Sequence, residues 1–451
     1  MASVRLLDRD LTPGRRSTKL KPDMRRVVVI VLSTILALAV WTGIFVAGAV
    51  EGWWRQPLAP SRDGRAFMDA AITTIDRTRR GNVAFVLIEN GKVFDEHFTS
   101  VGQPVDRDTL FQVASTSKWI AAWGVMTLVE AGKLDLDAPV ATYLTRWSLP
   151  TSEFDNRDVT VRRLLSHTAG LTDGLGYGGF APGQPVQPIV ASLTRAADAS
   201  PGADGAVRVG IQPGSAFEYS GGGYTLLQLI VEEVSGQSFA DYLRSAVFVP
   251  LGMTRSTYSV DGAPIANVAE FYDVDGTPAI HYRFTSLAAT SLYTSAADLT
   301  RFIQAHAIGA NGEPAGRGVL TPKTLEEMRR PHASRLGADI WGLGTMLYAG
   351  NNAGGFVIGH DGNNDPAINT AARVDPETGN GVVVLVTGNR VLATTLAGEW
   401  LFWRTGNVDF LMLTIEAGNL LKVLGAGWVA IMLTAVIIGW RSRRAAAGSP
   451  T

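Results

Sequence analysis

The chain has 451 residues, 46% hydrophobic and 18% charged, with a net charge of −1 and no cysteine. The missing cysteine excludes a disulfide framework, a thiolate nucleophile and a cysteine–zinc site. The near-neutral total is unevenly spread: residues 1–26 and 441–451 hold 11 basic and 3 acidic side chains, so residues 27–440 carry −9. So acidic a middle is a poor partner for nucleic acid, which needs clustered Lys and Arg against its phosphates.

In chain order, a basic tail (residues 1–26) carries Arg5, Arg9, Arg15, Arg16, Lys19, Lys21, Arg25 and Arg26. VVVIVLSTILALAVWTGIFVAGAV follows, residues 27–50, without a charge. As a helix it would run about 36 Å, enough to cross a bilayer with some tilt. Ala47-Gly48-Ala49 has the small-residue pattern of a signal-peptide cleavage site. Signal cores run only about 7–15 residues, however, so an uncleaved anchor is expected. Trp53 and Trp54 suit the outer interface. Residues 62–79 have Phe67, Ala70, Ala71 and Ile75 at helical spacing. VAFVLIE (83–89) and KVFDEHF (92–98), joined by Asn90-Gly91, predict a β-hairpin. Ser115–Ala131 predicts a helix closed by Gly132.

Residues 172–214, rich in Gly, Pro, Ala and Asp, read as loop. Helices are expected over Tyr224–Val234, Phe239–Val247 and Ala296–His306, and strands over 341–348, 367–374 and 381–387. Strands first, helices in the middle and strands last predict one α+β domain whose sheet draws on both chain ends. Residues 423–440, VLGAGWVAIMLTAVIIGW, form a second uncharged run, followed by Arg441, Arg443 and Arg444 in the tail 441–451. A buried core helix is the alternative for this shorter run. Basic flanks on both runs predict two transmembrane helices with cytoplasmic tails and an extracytoplasmic middle, facing the periplasm or the cell exterior.

The chemistry begins at Ser115-Thr116-Ser117-Lys118. Positions i and i+3 share a helix face, so the lysine amine stands beside the serine hydroxyl. Serine needs a base, and lysine serves only if burial or a nearby cation lowers its pKa. On its own the pattern equally fits a serine cap followed by a surface lysine. Two further stretches stand at fitting distances: Tyr219 in FEYSGGGYTLLQ (217–228), and Gly359-His360-Asp361-Gly362. Three glycines before a helix can cradle a phosphate, but no GK[ST] follows. The six histidines show no HExxH spacing, and Gly-x-Ser-x-Gly is absent, so neither a catalytic metal nor an α/β-hydrolase elbow is indicated.

SxxK, a tyrosine motif and a His-x-Gly together resemble the penicillin-recognising serine hydrolases, in the class C β-lactamase-like branch with its esterases, D-amino-acid peptidases and penicillin-binding relatives. VRRLLSHTAGL (161–171), PGSAFEYSGGGYTLLQLIVEEVSG (213–236), FVPLGM (248–253), SLYTSAADLTRF (291–302) and WGLGTM (341–346) carry the same resemblance across residues 62–400. It implies a β-lactamase/transpeptidase-like fold: an antiparallel sheet flanked by helices, with a mostly helical subdomain. It implies Ser115 as nucleophile, Lys118 and Tyr219 as the shared base, and the backbone N–H groups of Ser115 and Asn363 as oxyanion donors. No cofactor is implied.

His360 stands where many relatives have lysine, which weakens the hold on a substrate carboxylate. Gly221 stands where the YxN motif has asparagine, which removes an amide donor to the substrate's acylamide; a water, Asn363 or Asn364 is a candidate replacement. His167, in SHTAGL, is expected to be structural. The expected function is a membrane-anchored serine hydrolase acting through an acyl-enzyme on esters, D-amino-acid amides or peptides, including peptidoglycan-derived ones, with β-lactams last. A non-catalytic penicillin-binding-like sensor or scaffold on the same fold is the alternative. The missing asparagine supports it; intact Ser115, Lys118 and Tyr219, and the short tails, oppose it.

Overall fold

The computed structural model describes residues 22–174, 176–260 and 267–447. It divides into two units: Trp54–Ile415, and a second built from Met1–Trp53 with Glu416–Thr451. The second unit draws on helices Pro22–Val50 and Phe410–Ala447, both long and apolar enough to cross a membrane. Within it, the Trp41 indole N–H donates to the Leu424 carbonyl at 3.1 Å, and that of Trp428 to the Thr42 hydroxyl at 3.0 Å. Gly427 permits this approach: a Cβ there would lie 2.2 Å from Trp41 Nε1.

In the larger unit the early hairpin is β1 (Val83–Glu89) and β2 (Lys92–Thr99). Its turn uses Asn90 and Gly91, both at positive φ, as a two-residue hairpin connection requires. Six late strands follow: β3 (Ala333–Arg335), β4 (Ala338–Trp341), β5 (Met346–Gly350), β6 (Phe356–Asn364), β7 (Ile368–Val374) and β8 (Gly381–Thr387). The sheet order is β2-β1-β8-β7-β6-β5-β4-β3, antiparallel throughout. The first hairpin thus docks on the last strand, Val83 opposite Val386, and the sheet joins both ends of the domain.

Strand β1 is apolar from Val83 to Ile88 because both its faces are covered. Phe85 and Leu87 pack with Phe67, Ala71 and Ile75 of α1 (Gly64–Thr78). Ala84, Val86 and Ile88 face the opposite core, with Trp119 and Trp123 of α2 (Ser117–Glu130) and Tyr224 of α3 (Gly221–Ser235). Helix α4 (Leu392–Thr405) joins the α1 side through Leu396, Trp400 and Leu401. The sheet is therefore a middle layer, with α1 and α4 behind it and the helical region in front.

The structure adjusts several sequence expectations. The helix expected from Ser115 begins as a 3₁₀ turn, Ala114–Thr116, and becomes α-helical at Ser117; Gly132 follows with φ +67°. The helix expected from Tyr224 starts at Gly221, so the three glycines are its first turn. Residues 359–362, outside the strands expected from sequence, lie inside β6. Residues 172–214 include a short helix, Ile189–Thr194. The Phe239–Val247 helix divides into Phe239–Leu243 and a π-helical turn, Arg244–Phe248. Helix α4, strand β3 and the helix Pro322–Arg329 have no counterpart in the sequence reading. The second uncharged run, 423–440, is part of one helix that starts at Phe410.

Candidate active site

The turn carrying Ser115 is fixed by the strands beneath it. Thr370 Oγ1 donates to the Val113 carbonyl at 2.9 Å and lies 3.1 Å from Thr116 Oγ1. Ser117 Oγ donates to the Ala114 carbonyl at 2.6 Å and accepts the Leu292 N–H at 3.1 Å. Gly362 lets β6 pass close by, since a Cβ there would lie 2.2 Å from the Val113 carbonyl oxygen. Ala114 is held at φ +45°, a left-handed conformation that costs an alanine on the order of 1 kcal/mol. That strain sits one residue before the serine.

Ser115 is half-buried. Lys118, one turn on, places Nζ 3.2 Å from Ser115 Oγ, and also donates to the Ala289 carbonyl at 2.8 Å. The ammonium stands over the rings of Tyr219 and Tyr224, 4.9 and 5.6 Å from their centroids. Lys118 is only 2% exposed, and burial pulls its pKa from 10.5 down to about 7, partly opposed by Asp173. Burial pushes the Tyr219 hydroxyl above its ordinary range, partly opposed by the neighbouring Ser115. Near neutral pH the lysine is thus the readier base, and the tyrosine is a neutral hydroxyl beside it.

Around Tyr219 lies an aromatic box. His167 is 4.4 Å from the tyrosine ring and Trp341 is 5.8 Å away, centroid to centroid. His167 is buried and held well below its ordinary pKa by burial and by Lys118, so it is neutral. Its Nδ1 accepts the Ser220 N–H at 3.1 Å, which positions the residue after Tyr219. His360 is neutral as well: burial, then Lys118, lowers it to about 3. Its Nδ1–H donates to the Asp361 carbonyl at 2.7 Å, leaving Nε2 as a buried acceptor with no hydrogen-bond partner among the described residues. Asp361 is held by Tyr348 and by Arg373, at 2.6 and 3.1 Å.

Two residues with no sequence signal complete the site. Asp173 is buried and accepts from the Ser220 hydroxyl and the Gly222 N–H. A Cβ on Gly222 would lie 2.3 Å from its Oδ2, so this glycine is required by the carboxylate. Tyr177, from the loop before α3, packs against Gly221. Each of the two asparagines near the site commits one amide N–H to another partner. Asn363 donates its amide to the Arg390 carbonyl, and Asn364 donates to Thr290 Oγ1 at 3.2 Å. Among the described residues, no group of three or more His, Asp or Glu is placed to hold a metal ion.

A sheet between two helical layers, with a serine, a low-pKa lysine and a tyrosine converging in front of it, defines a serine hydrolase of the penicillin-recognising kind. The family model described as Beta-lactamase matches residues 65–399, and the chain belongs to that family. It is 33% identical over 310 residues to Penicillin-binding protein 4 of Amycolatopsis lactamdurans, covering 65% of this chain and 76% of that protein. It is 28% identical over 354 residues to Esterase EstB of Burkholderia gladioli, covering 65% and 86%. Among solved structures, the octameric penicillin-binding protein homologue from Pyrococcus abyssi shares the fold with a TM-score of 0.63. That match is 23% identical and covers 77% of this chain and 78% of the other.

Proposed function

We propose that this serine hydrolase is membrane-anchored, works outside the cytoplasm, and forms an acyl-enzyme on Ser115 from small acyl substrates. Neutral esters and D-amino-acid amides or peptides, peptidoglycan-derived ones included, come ahead of β-lactams. The observation that carries the reading is Lys118: an amine with a pKa near 7, 3.2 Å from the serine oxygen. Relatives named as an esterase and as a penicillin-binding protein support the substrate range.

Neutral Lys118 takes the Ser115 proton as Oγ attacks the substrate carbonyl. The backbone N–H groups of Ser115 and Asn363 hold the oxyanion. The proton passes through the Lys118–Tyr219 pair to the leaving alcohol or amine, and the C–O or C–N bond breaks. Water, deprotonated by the same pair, then attacks the acyl-enzyme and releases the acid. His360 is neutral, so no cation from that residue awaits a substrate carboxylate. This supports the low rank of β-lactams, which carry one.

The two apolar helices with basic flanks support the anchoring and the cytoplasmic tails. A membrane-impermeant fluorophosphonate tests activity and location together. Applied to a detergent extract of the full chain, it should label wild type and not Ser115→Ala. Applied to intact cells, it should label wild type equally. No label in the extract from folded protein rejects the hydrolase mechanism and favours the non-catalytic sensor. Label in the extract only rejects the outward-facing site.

A further inference from the structure

We propose that Tyr177 selects the acyl group: its ring occupies the space beside Gly221 that an amide-bearing side chain would need, which confines the site to acyl groups without an acylamide. The proposal rests on the reading of Ser115 as nucleophile and narrows its substrate class.

The geometry is local and crowded. A Cβ built on Gly221 would lie 3.0 Å from Tyr177 Cε2, 3.5 Å from Cδ2 and 3.7 Å from Gly176 Cα. Any longer side chain at 221 has to pass the ring edge. Gly221 stands two residues after Tyr219, in the first turn of α3, so this space borders the base. The ring is fastened there. Tyr177 is 8% exposed, and its hydroxyl lies 3.0 Å from Thr225 Oγ1, one turn along α3. Thr225 donates in turn to Ser286 Oγ at 2.6 Å, just before the short helix Leu287–Thr290 whose Ala289 carbonyl receives Lys118. On the loop side, Ser200 Oγ donates to the Gly176 carbonyl at 2.8 Å, and the Gly178 N–H donates to the Asp198 carbonyl at 2.6 Å. The tyrosine is held from both ends.

Chemistry converts this packing into selectivity. A penicillin or a D-peptide brings an acylamide next to the reacting carbonyl, and burying it needs a donor. Here that corner offers carbon from an aromatic ring, and Asn363 and Asn364 each direct one amide N–H to another partner, Arg390 and Thr290. A buried polar group without its partner slows a reaction by about 10- to 100-fold. A simple acyl ester loses nothing there. Tyr177 and Gly221 therefore act as a pair: the glycine makes room for the ring, and the ring keeps an amide out. Within the proposed substrate range, esters come first and D-peptides are slow.

The test is a double-mutant cycle on the full chain in detergent: wild type, Tyr177→Ala, Gly221→Asn and the double variant. Each is assayed for acylation by a fluorescent penicillin, which carries an acylamide, and for kcat/KM on p-nitrophenyl acetate, which does not. The penicillin-to-ester ratio should rise at least tenfold in the double variant and less than threefold in either single one. If Gly221→Asn alone matches the double variant, or the double variant turns over ester with an unchanged ratio, the proposal is wrong. If the double variant does not fold, melting decides. Gly221→Ala should lower the melting temperature when Tyr177 is intact and leave it unchanged in the Tyr177→Ala background; equal losses in both reject the packing. Fluorophosphonate labelling separates the two levels: lost in wild type, the hydrolase reading falls; retained with a flat ratio, only the role of Tyr177 falls.

Discussion

In the proposed mechanism Lys118 carries most of the chemistry through one physical fact, its burial. An unfolded chain titrates this amine near 10.5, the folded one near 7. Acylation should therefore rise with pH through a midpoint near 7 as the base form fills; a rate flat from pH 6 to 8 would rule out the lysine as base. The same shift has a stability sign. Between about pH 7 and 10.5 the unfolded state holds a proton that the folded state lacks, so this group's unfavourable contribution shrinks as pH rises and is largest below 7. Lys118→Met should then lower kcat/KM by about 10²–10⁴-fold. It should also stabilise the fold by about 1–4 kcal/mol, more at pH 6 than at pH 9. Thermal melts at the two pH values check this; destabilisation at pH 6 contradicts it. That Ser115, Lys118 and Tyr219 converge was legible in the sequence because motif spacing ties them together. Asp173 and Tyr177 were not: both come from a Gly-rich stretch and reach the site by tertiary folding alone.

Among the elements, β6 and the Ser115 turn work as one. The contact depends on Gly362, where a Cβ would meet a main-chain oxygen at 2.2 Å, and backbone yields less readily than a side chain. Gly362→Ala should cost about 1–3 kcal/mol of stability. It should also slow fluorophosphonate labelling more than the lost stability explains, because the strand must move away from the serine. Urea unfolding alongside labelling rates distinguishes this from a simple loss of folded protein; an unchanged rate in the folded fraction contradicts it. The β1–β2 hairpin could be read in advance because its Asn-Gly turn and two strands agree locally. Strand β6 could not, because Gly, His, Asp and Asn are poor strand formers and pairing holds them extended, with β5 at Gly359 opposite Met346 and with β7 at His360 opposite Ala372. The glycine run misled in the other direction. Three glycines argue against helix, yet Ser220 caps them by accepting the Gly223 N–H at 2.8 Å, and Asp173 takes the Gly222 N–H.

At the scale of the whole molecule, the order of strands and helices already indicated a sheet closed from both chain ends, since that follows from chain order and not from detail. The electrostatic centre behind the sheet was hidden. Arg373 is fully buried; burial opposes its charge, but Asp361 and Asp409 hold it firmly protonated. It pairs with Asp361 at 3.1 Å and with Asp409, and lies 3.8 Å from the Tyr348 ring centroid. No periodicity announces such a cluster, because its members are distant in sequence and each looks like a surface charge. Arg373→Met should destabilise the protein by about 3–5 kcal/mol by stranding two carboxylates. Chemical unfolding followed by circular dichroism measures it, and a loss below about 1 kcal/mol would contradict the account.

Asp409 also decides where the catalytic part can be cut from the chain. The resemblance, which runs to residue 400, suggests stopping just after α4, which ends at Thr405. Such a fragment would keep every strand, Ser115, Lys118 and Tyr219, but it would lose the carboxylate that neutralises Arg373 on its far side. It would carry a buried, half-compensated guanidinium against the strand that presents His360. A fragment running to Ile415 retains Asp409 and the Leu411 N–H that caps it at 2.8 Å. The soluble boundary is set by a counter-ion, a few residues beyond the point where the sheet and its helices are complete.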